Sequence, residues 1–67
     1  MEGLGEKIKY LRLEKGLTQP KLAEKVGVSP GMISIWENNI NEPKASYIKS
    51  LSLALEVTSD YLLGIVD

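Results

Sequence analysis

Apolar residues recur at helical spacing along nearly the whole chain, in short blocks separated by glycine, proline and asparagine. In the first block Leu4, Ile8 and Leu11 form one stripe, with Lys7, Lys9 and Glu14 elsewhere, which predicts a helix over about 4–15 that Gly16 ends. Tyr10 and Leu13 fall on the opposite side, where a charged residue would be ordinary. Three apart on a helix, they are either two commonplace exposures or a small contact patch. The second block, Gln19 to Val26, carries Leu22, Ala23 and Val26, with Thr18 as N-cap and Gly27 as the stop. Val28 then turns into a core, Ser29 is expected to cap a third helix, and Pro30 fits as its first residue. Ile33 and Trp36 share its inner face, while Pro30, Gly31, Ser34, Ile35 and Asn38 look outward to varying degrees. A polar loop, NNINEPKA, contains Pro43 and precedes a fourth helix from Lys44 or Ala45 to Glu56. That helix buries Ile48, Leu51, Ala54 and Leu55 and leaves Leu53 off the stripe. Thr58 is expected to cap a last short helix, SDYLL, with Asp60 at its positive end and Leu62 and Leu63 packed inward. The tail from Gly64 to Asp67 either finishes the core or continues into a partner.

No strand is needed, so the expected fold is all-α: five short helices in a compact orthogonal bundle, one domain over residues 1–67. A chain this small buries only roughly 60% of its unfolded surface, which commits its apolar residues to one core. Residues of about 18–38 read as two helices joined by a turn too tight to leave them independent. That is helix-turn-helix geometry, whose second helix can enter a DNA major groove.

Composition removes several alternatives. With no cysteine and no histidine, the chain has neither disulfides nor thiolate metal sites, and it lacks the commonest general base and the commonest non-thiol zinc ligand. No nucleophile–base pair or metal cluster is in view, so an enzyme is set aside and no cofactor or metal is expected. No apolar run approaches a membrane span, and residues 1–5 lack a signal pattern, so a soluble, cytoplasmic, unprocessed chain is expected. Charge is the awkward property: eight Lys plus Arg against nine Asp plus Glu give a net charge of −1. Nucleic-acid binders usually carry a basic footprint, which here has to come from distribution. The basic residues are Lys7, Lys9, Arg12, Lys15, Lys21, Lys25, Lys44 and Lys49, with none between Val28 and Pro43.

Taken in order, LGEKIKYLRLEKGLTQ, LAEKVGVS, ISIWEN, EPK and LALEVTSDYLLG span nearly the whole chain. Together they resemble the Cro/C1-type, XRE-like helix-turn-helix domains of bacterial and phage regulators, the lambda-repressor-like family. The resemblance implies a five-helix lambda-repressor-like fold and a DNA-binding transcriptional regulator, repressor-like and non-catalytic, with a recognition helix at about 29–38. It implies that Gln19 meets a DNA phosphate and braces the reading helix, and that Asn38, Asn39 and Lys44 approach the DNA backbone. Lys21, which stands in place of a capping-box glutamate, makes more sense beside a phosphate than as an N-terminal helix residue. Arg12 and Glu37 match positions that form a partly buried ion pair.

The base-reading positions are Ser29, Pro30, Gly31, Ser34 and Ile35, where the family commonly has Gln, Arg, Lys or Asn. None of those is present, so bidentate base contacts are missing and modest or shape-based specificity is expected. Lys44 and Glu56 replace the usual caps of the fourth helix. Double-stranded DNA and a homodimer are the expected partners, with no small-molecule ligand. Tyr10, Leu13, Leu53 and the Tyr61 to Val66 tail are candidate dimer surfaces, and the resemblance favours the C-terminal end. The alternative is a protein-interaction module on the same fold, antitoxin-like or anti-repressor-binding. The acidic balance and apolar Ile35, Ile40 and Leu53 on the surface favour it.

Overall fold

A computed structural model describes residues 3–65. Five helices follow in order: α1 (Leu4–Glu14), α2 (Gln19–Val26), α3 (Pro30–Glu37), α4 (Ala45–Leu55) and α5 (Ser59–Leu63). Among the described residues there is no strand. Two of the three expected caps are made by side chains: Thr18 Oγ1 accepts from Lys21 N at 3.2 Å and Thr58 Oγ1 from Tyr61 N at 3.0 Å. Ser29 differs. Its backbone is extended like an N-cap, but its hydroxyl makes no capping bond. The N–H it would serve, that of Met32, instead donates to the Ser29 carbonyl at 3.0 Å in a tightened first turn. Gly27 closes α2 at φ +88°, where a side chain would be strained. Glu56 closes α4 in the same left-handed region at φ +61° without glycine's freedom.

Every helix contributes to one core. Ile8, Leu22, Ile33, Leu51, Leu55 and Leu62 are buried to 1% exposure or less, and the Trp36 ring packs against Tyr47 with centroids 5.3 Å apart. The stripe read for α4 needs one change: Ala54 is half-buried, and Ser52 is buried instead. The Ser52 hydroxyl meets its polar needs locally, donating to the Lys49 carbonyl at 2.8 Å and lying 3.2 Å from Ser59 Oγ. The expectation that both Leu62 and Leu63 turn inward is also corrected. Leu62 is 1% exposed and Leu63 is 50% exposed. Successive helical residues point about 100° apart, so a five-residue helix resting on one side cannot bury both.

The approach of α1 to α3 fixes the geometry of the rest. A Cβ on buried Gly5 would lie 2.3 Å from the Trp36 carbonyl oxygen and 2.6 Å from that of Glu37. Only a residue without a side chain lets α1 rest on the end of α3. Asn39 completes the contact: its Oδ1 accepts from Gly5 N at 2.9 Å and its Nδ2 donates to Glu6 Oε1 at 2.8 Å.

Candidate nucleic-acid interface

The outward face of α3 is held in place from beneath by a polar knot. Arg12 Nε lies 2.6 Å from Glu37 Oε2, and a second nitrogen of the same guanidinium donates to Glu37 Oε1 at 3.2 Å. The third nitrogen donates to the Leu17 carbonyl at 2.9 Å, and Gln19 Nε2 adds a bond to Glu37 Oε1 at 3.0 Å. With Arg12 at 7% and Glu37 at 6% exposure, this two-pronged pair joins α1, the α1–α2 loop, α2 and α3 inside the protein. Arg12 is therefore committed to the fold.

Around that knot the expected site residues fall into three groups. Gln19 and Lys21 stand at the start of α2. Pro20 has no N–H, and the N–H groups of Lys21 and Leu22 donate to the Thr18 side chain and carbonyl, so among the described residues the Gln19 N–H is the open donor of this first turn. Lys21 is exposed, with its ammonium 3.7 Å from Glu24. Ser29, Pro30 and Gly31 are exposed along the first turn of α3, with Ser34 half-buried one turn on. Ile35, expected to look outward, is half-buried and packs against the core, because α3 rests on its neighbours through both the Ile33 and the Ile35 sides.

The third group lies past the end of α3. Asn38 and Asn39, expected near DNA phosphates, are both exposed, and each also makes hydrogen bonds within the protein through its amide. Asn38 Nδ2 donates to the Ser34 carbonyl at 2.9 Å and to Ser34 Oγ at 3.3 Å, while Asn39 holds Gly5 and Glu6 as described. A residue at a helix end satisfies orphan carbonyls or neighbouring N–H groups when it can, and both asparagines do. Asn39's amide also holds the Glu6 carboxyl below its ordinary value, chiefly through that hydrogen bond. Lys44, the backbone N-cap of α4, is exposed. Sequence reasoning missed Gly5, whose only signal is a glycine in the first turn of a helix, and the Ser34–Asn38 bond, visible in advance only as a serine and an asparagine four apart.

The whole arrangement is one that sequence comparison and structural comparison both match. The family described as "Helix-turn-helix" aligns with residues 8–62. The chain belongs to the helix-turn-helix family. Among helix-turn-helix relatives it is 40% identical over 60 residues to the repressor protein C2 of Salmonella phage P22, an alignment covering 90% of this chain and 28% of that one. It is 36% identical over 61 residues to the transcriptional regulator SinR of Bacillus subtilis, covering 90% and 55%. The chain thus spans about a quarter to about half of the length of these curated relatives. Of solved structures, it is similar to the P22 c2 repressor in complex with a synthetic operator, with a TM-score of 0.90, 38% identity, and 94% and 96% of the two chains covered. It is also similar to SinR in complex with DNA, with a TM-score of 0.85, 35% identity, and 91% and 98% covered. The fold of this helix-turn-helix domain is that of these DNA-binding domains. None of its described helices is long and apolar enough to cross a membrane, and no described cluster of three acidic, His or Cys side chains is placed to hold a metal.

Proposed function

We propose that this chain is a DNA-binding transcriptional regulator that lays α3 in the major groove of double-stranded DNA and carries out no catalysis. The likeness over almost the whole chain to a repressor solved on its operator carries this reading. The local chemistry agrees with it: the open Gln19 N–H and the exposed ammonium groups of Lys21 and Lys44 suit phosphates, while Ser29, Pro30, Gly31 and Ser34 offer a low surface to base edges. Asn38 and Asn39 serve the phosphate contact indirectly, by fixing the end of α3 from which the loop leaves. Ile35, half-covered by the core, offers at most the edge of its side chain to a thymine methyl.

A module this small covers few base pairs, so two copies related by a two-fold axis, on half-sites about one DNA turn apart, are proposed as the binding form. Of the dimer surfaces expected from sequence, Leu63 and Ile65 at the C-terminal end are 50% and 68% exposed and favour that end, and Val66 lies outside the described residues. Tyr10, Leu13 and Leu53 are also exposed. The cytoplasm is the proposed location.

The test is a fluorescence-anisotropy titration on mixed-sequence duplex at several salt concentrations. Two lysines at phosphates predict that log affinity falls with log salt at a slope of about −2 per chain. Lys44→Ala is expected to weaken binding to all sequences and reduce that slope by about one. Absence of binding at low salt would overturn the reading in favour of the protein-interaction alternative, which exposed Ile40 and Leu53 support, at 67% and 71% exposure.

A further inference from the structure

We infer that the surface around Leu53, on the side of the domain turned away from the proposed DNA contacts, docks an acidic amphipathic helix of another protein. Its position relative to a duplex rests on the DNA reading above, while the docking itself does not.

Leu53 is 71% exposed, the highest value among the large apolar side chains of the described residues. Helical spacing leaves it outside the core while its neighbours Leu51 and Leu55 are fully buried. Beside it, between α2 and α4, is a hollow of about 360 Å³ lined by Lys25, Ser50, Ala54 and Glu56 together with Leu53 itself. The small side chains of Ser50 and Ala54 leave room there for one large apolar group from outside, with Leu53 as the wall it packs on.

The charge around this hollow is one-sided. Lys25 comes from α2, Lys49 stands one turn before Leu53 on the same face of α4, and Lys15 follows the end of α1. The acid that lines the hollow, Glu56, is already held: Lys15 Nζ lies 2.5 Å from its Oε1. That hydrogen bond, with the charges of Lys15 and Lys25, keeps the Glu56 carboxyl below its ordinary value. The ammonium groups of Lys25 and Lys49 have no hydrogen bond or ion pair among the described residues. Three lysines against one glutamate leave two positive charges at this face, in a chain whose net charge is −1.

Those charges choose the occupant. A second copy bound about a two-fold axis would set the patch against itself, with surplus positive charge on both sides. A helix that turns leucine toward the hollow and carries glutamate or aspartate on its flanks meets the lysines with opposite charge. The patch lies at the C-terminal ends of α2 and α4, whose N-terminal ends carry Gln19, Lys21 and Lys44. Leu53 is about 14 Å along α4 from Lys44, so a docked helix leaves the phosphate-facing ends open and the domain holds duplex and partner together.

The probe is a fluorescein-labelled helical peptide with leucines at i, i+3 and i+7 and glutamates on both sides of that stripe, followed by anisotropy and by amide chemical shifts of the isotope-labelled protein. Binding is expected, with the shifts centred on Lys25, Leu53 and Glu56. Leu53→Ser should weaken it about tenfold and Lys25→Glu about fivefold. Because Leu53 is exposed and outside the proposed DNA contacts, Leu53→Ser should keep its melting temperature within a few degrees and its duplex affinity unchanged. The same peptide with lysine for glutamate, or with alanine for leucine, should bind at least about tenfold more weakly. No binding of the acidic peptide at millimolar concentration, equal binding by Leu53→Ser, or shifts centred on Lys21 and Lys44 would each overturn the inference. Concentration-dependent dimers that Leu53→Ser abolishes in sedimentation would give the surface to a second copy, and binding to phosphatidylglycerol vesicles in place of the peptide would give it to a membrane; either result overturns it too. Peptide binding without duplex binding overturns the DNA reading alone.

Discussion

Substituting alanine for Gly5 should loosen the packing of α1 against the end of α3, although alanine is the better helix former. The added Cβ would lie 2.3 Å from the Trp36 carbonyl oxygen, 2.6 Å from that of Glu37 and 2.7 Å from Asn39 Oδ1, where ordinary contact begins at 3.4 Å. Two of the three atoms are backbone and cannot swing aside, so α1 has to withdraw by about 1 Å from α3. Overpacking of this kind costs about 1–3 kcal/mol, and the withdrawal stretches the 2.9 Å Gly5–Asn39 bond, worth about 1 kcal/mol more. Alanine's helix propensity returns about 1 kcal/mol. The net loss is about 1–3 kcal/mol, which lowers the melting temperature of a domain of this size by roughly 5–20 °C. Thermal unfolding followed by circular dichroism measures it directly, and a melting temperature equal to or above that of the parent would refute the close approach of α1 to α3.

Two further expectations concern the polar contacts beneath α3. Glu37→Gln leaves the buried Arg12 charge without its carboxylate and should cost about 3 kcal/mol or more in urea unfolding; unchanged stability would mean that Arg12 does not depend on the pair. Glu6 titrates below its ordinary value, so its share of stability is present above the ordinary carboxylate range and is lost as pH falls through the lowered folded value. Asn39→Gly, which removes the amide but suits the φ of +59°, should raise the Glu6 titration midpoint toward the ordinary value in carboxyl NMR, and an unmoved midpoint would show that Asn39 is not the cause.

The parts of this fold that are legible in the sequence are those decided within a turn or two of helix. Thr18, Gly27 and Thr58 mark boundaries because caps and left-handed closures are local events, and the limits of α2 and α5 follow from them. Leu22, Ile33 and Leu51 are readable from spacing alone. What the pattern misses depends on distant partners. Nothing near Gly5 announces a contact 34 residues away at Asn39, and nothing near Asn38 or Asn39 says which groups of the protein their amides bond. Leu63 reads as core because spacing alone does not show which side of a five-residue helix faces its neighbours. Arg12 falls at the edge of the apolar stripe of α1, one turn after Ile8, where a charged side chain is ordinarily expected to reach for solvent. Its tie to Glu37 was suggested by family resemblance, and the sequence pattern by itself gave no sign that a charge in that place is buried.

The same tie shapes the electric field that a duplex would meet. Glu37 is the single ionisable residue of α3, and the guanidinium covers both of its oxygens, so the outer surface of the helix is electrically blank in a chain of net charge −1. In the proposed complex, the positive charge nearest the reading face comes from the lysines to either side, at Lys21 and Lys44. If that complex forms, the expected consequence is weak binding to arbitrary DNA and quick exchange between sites.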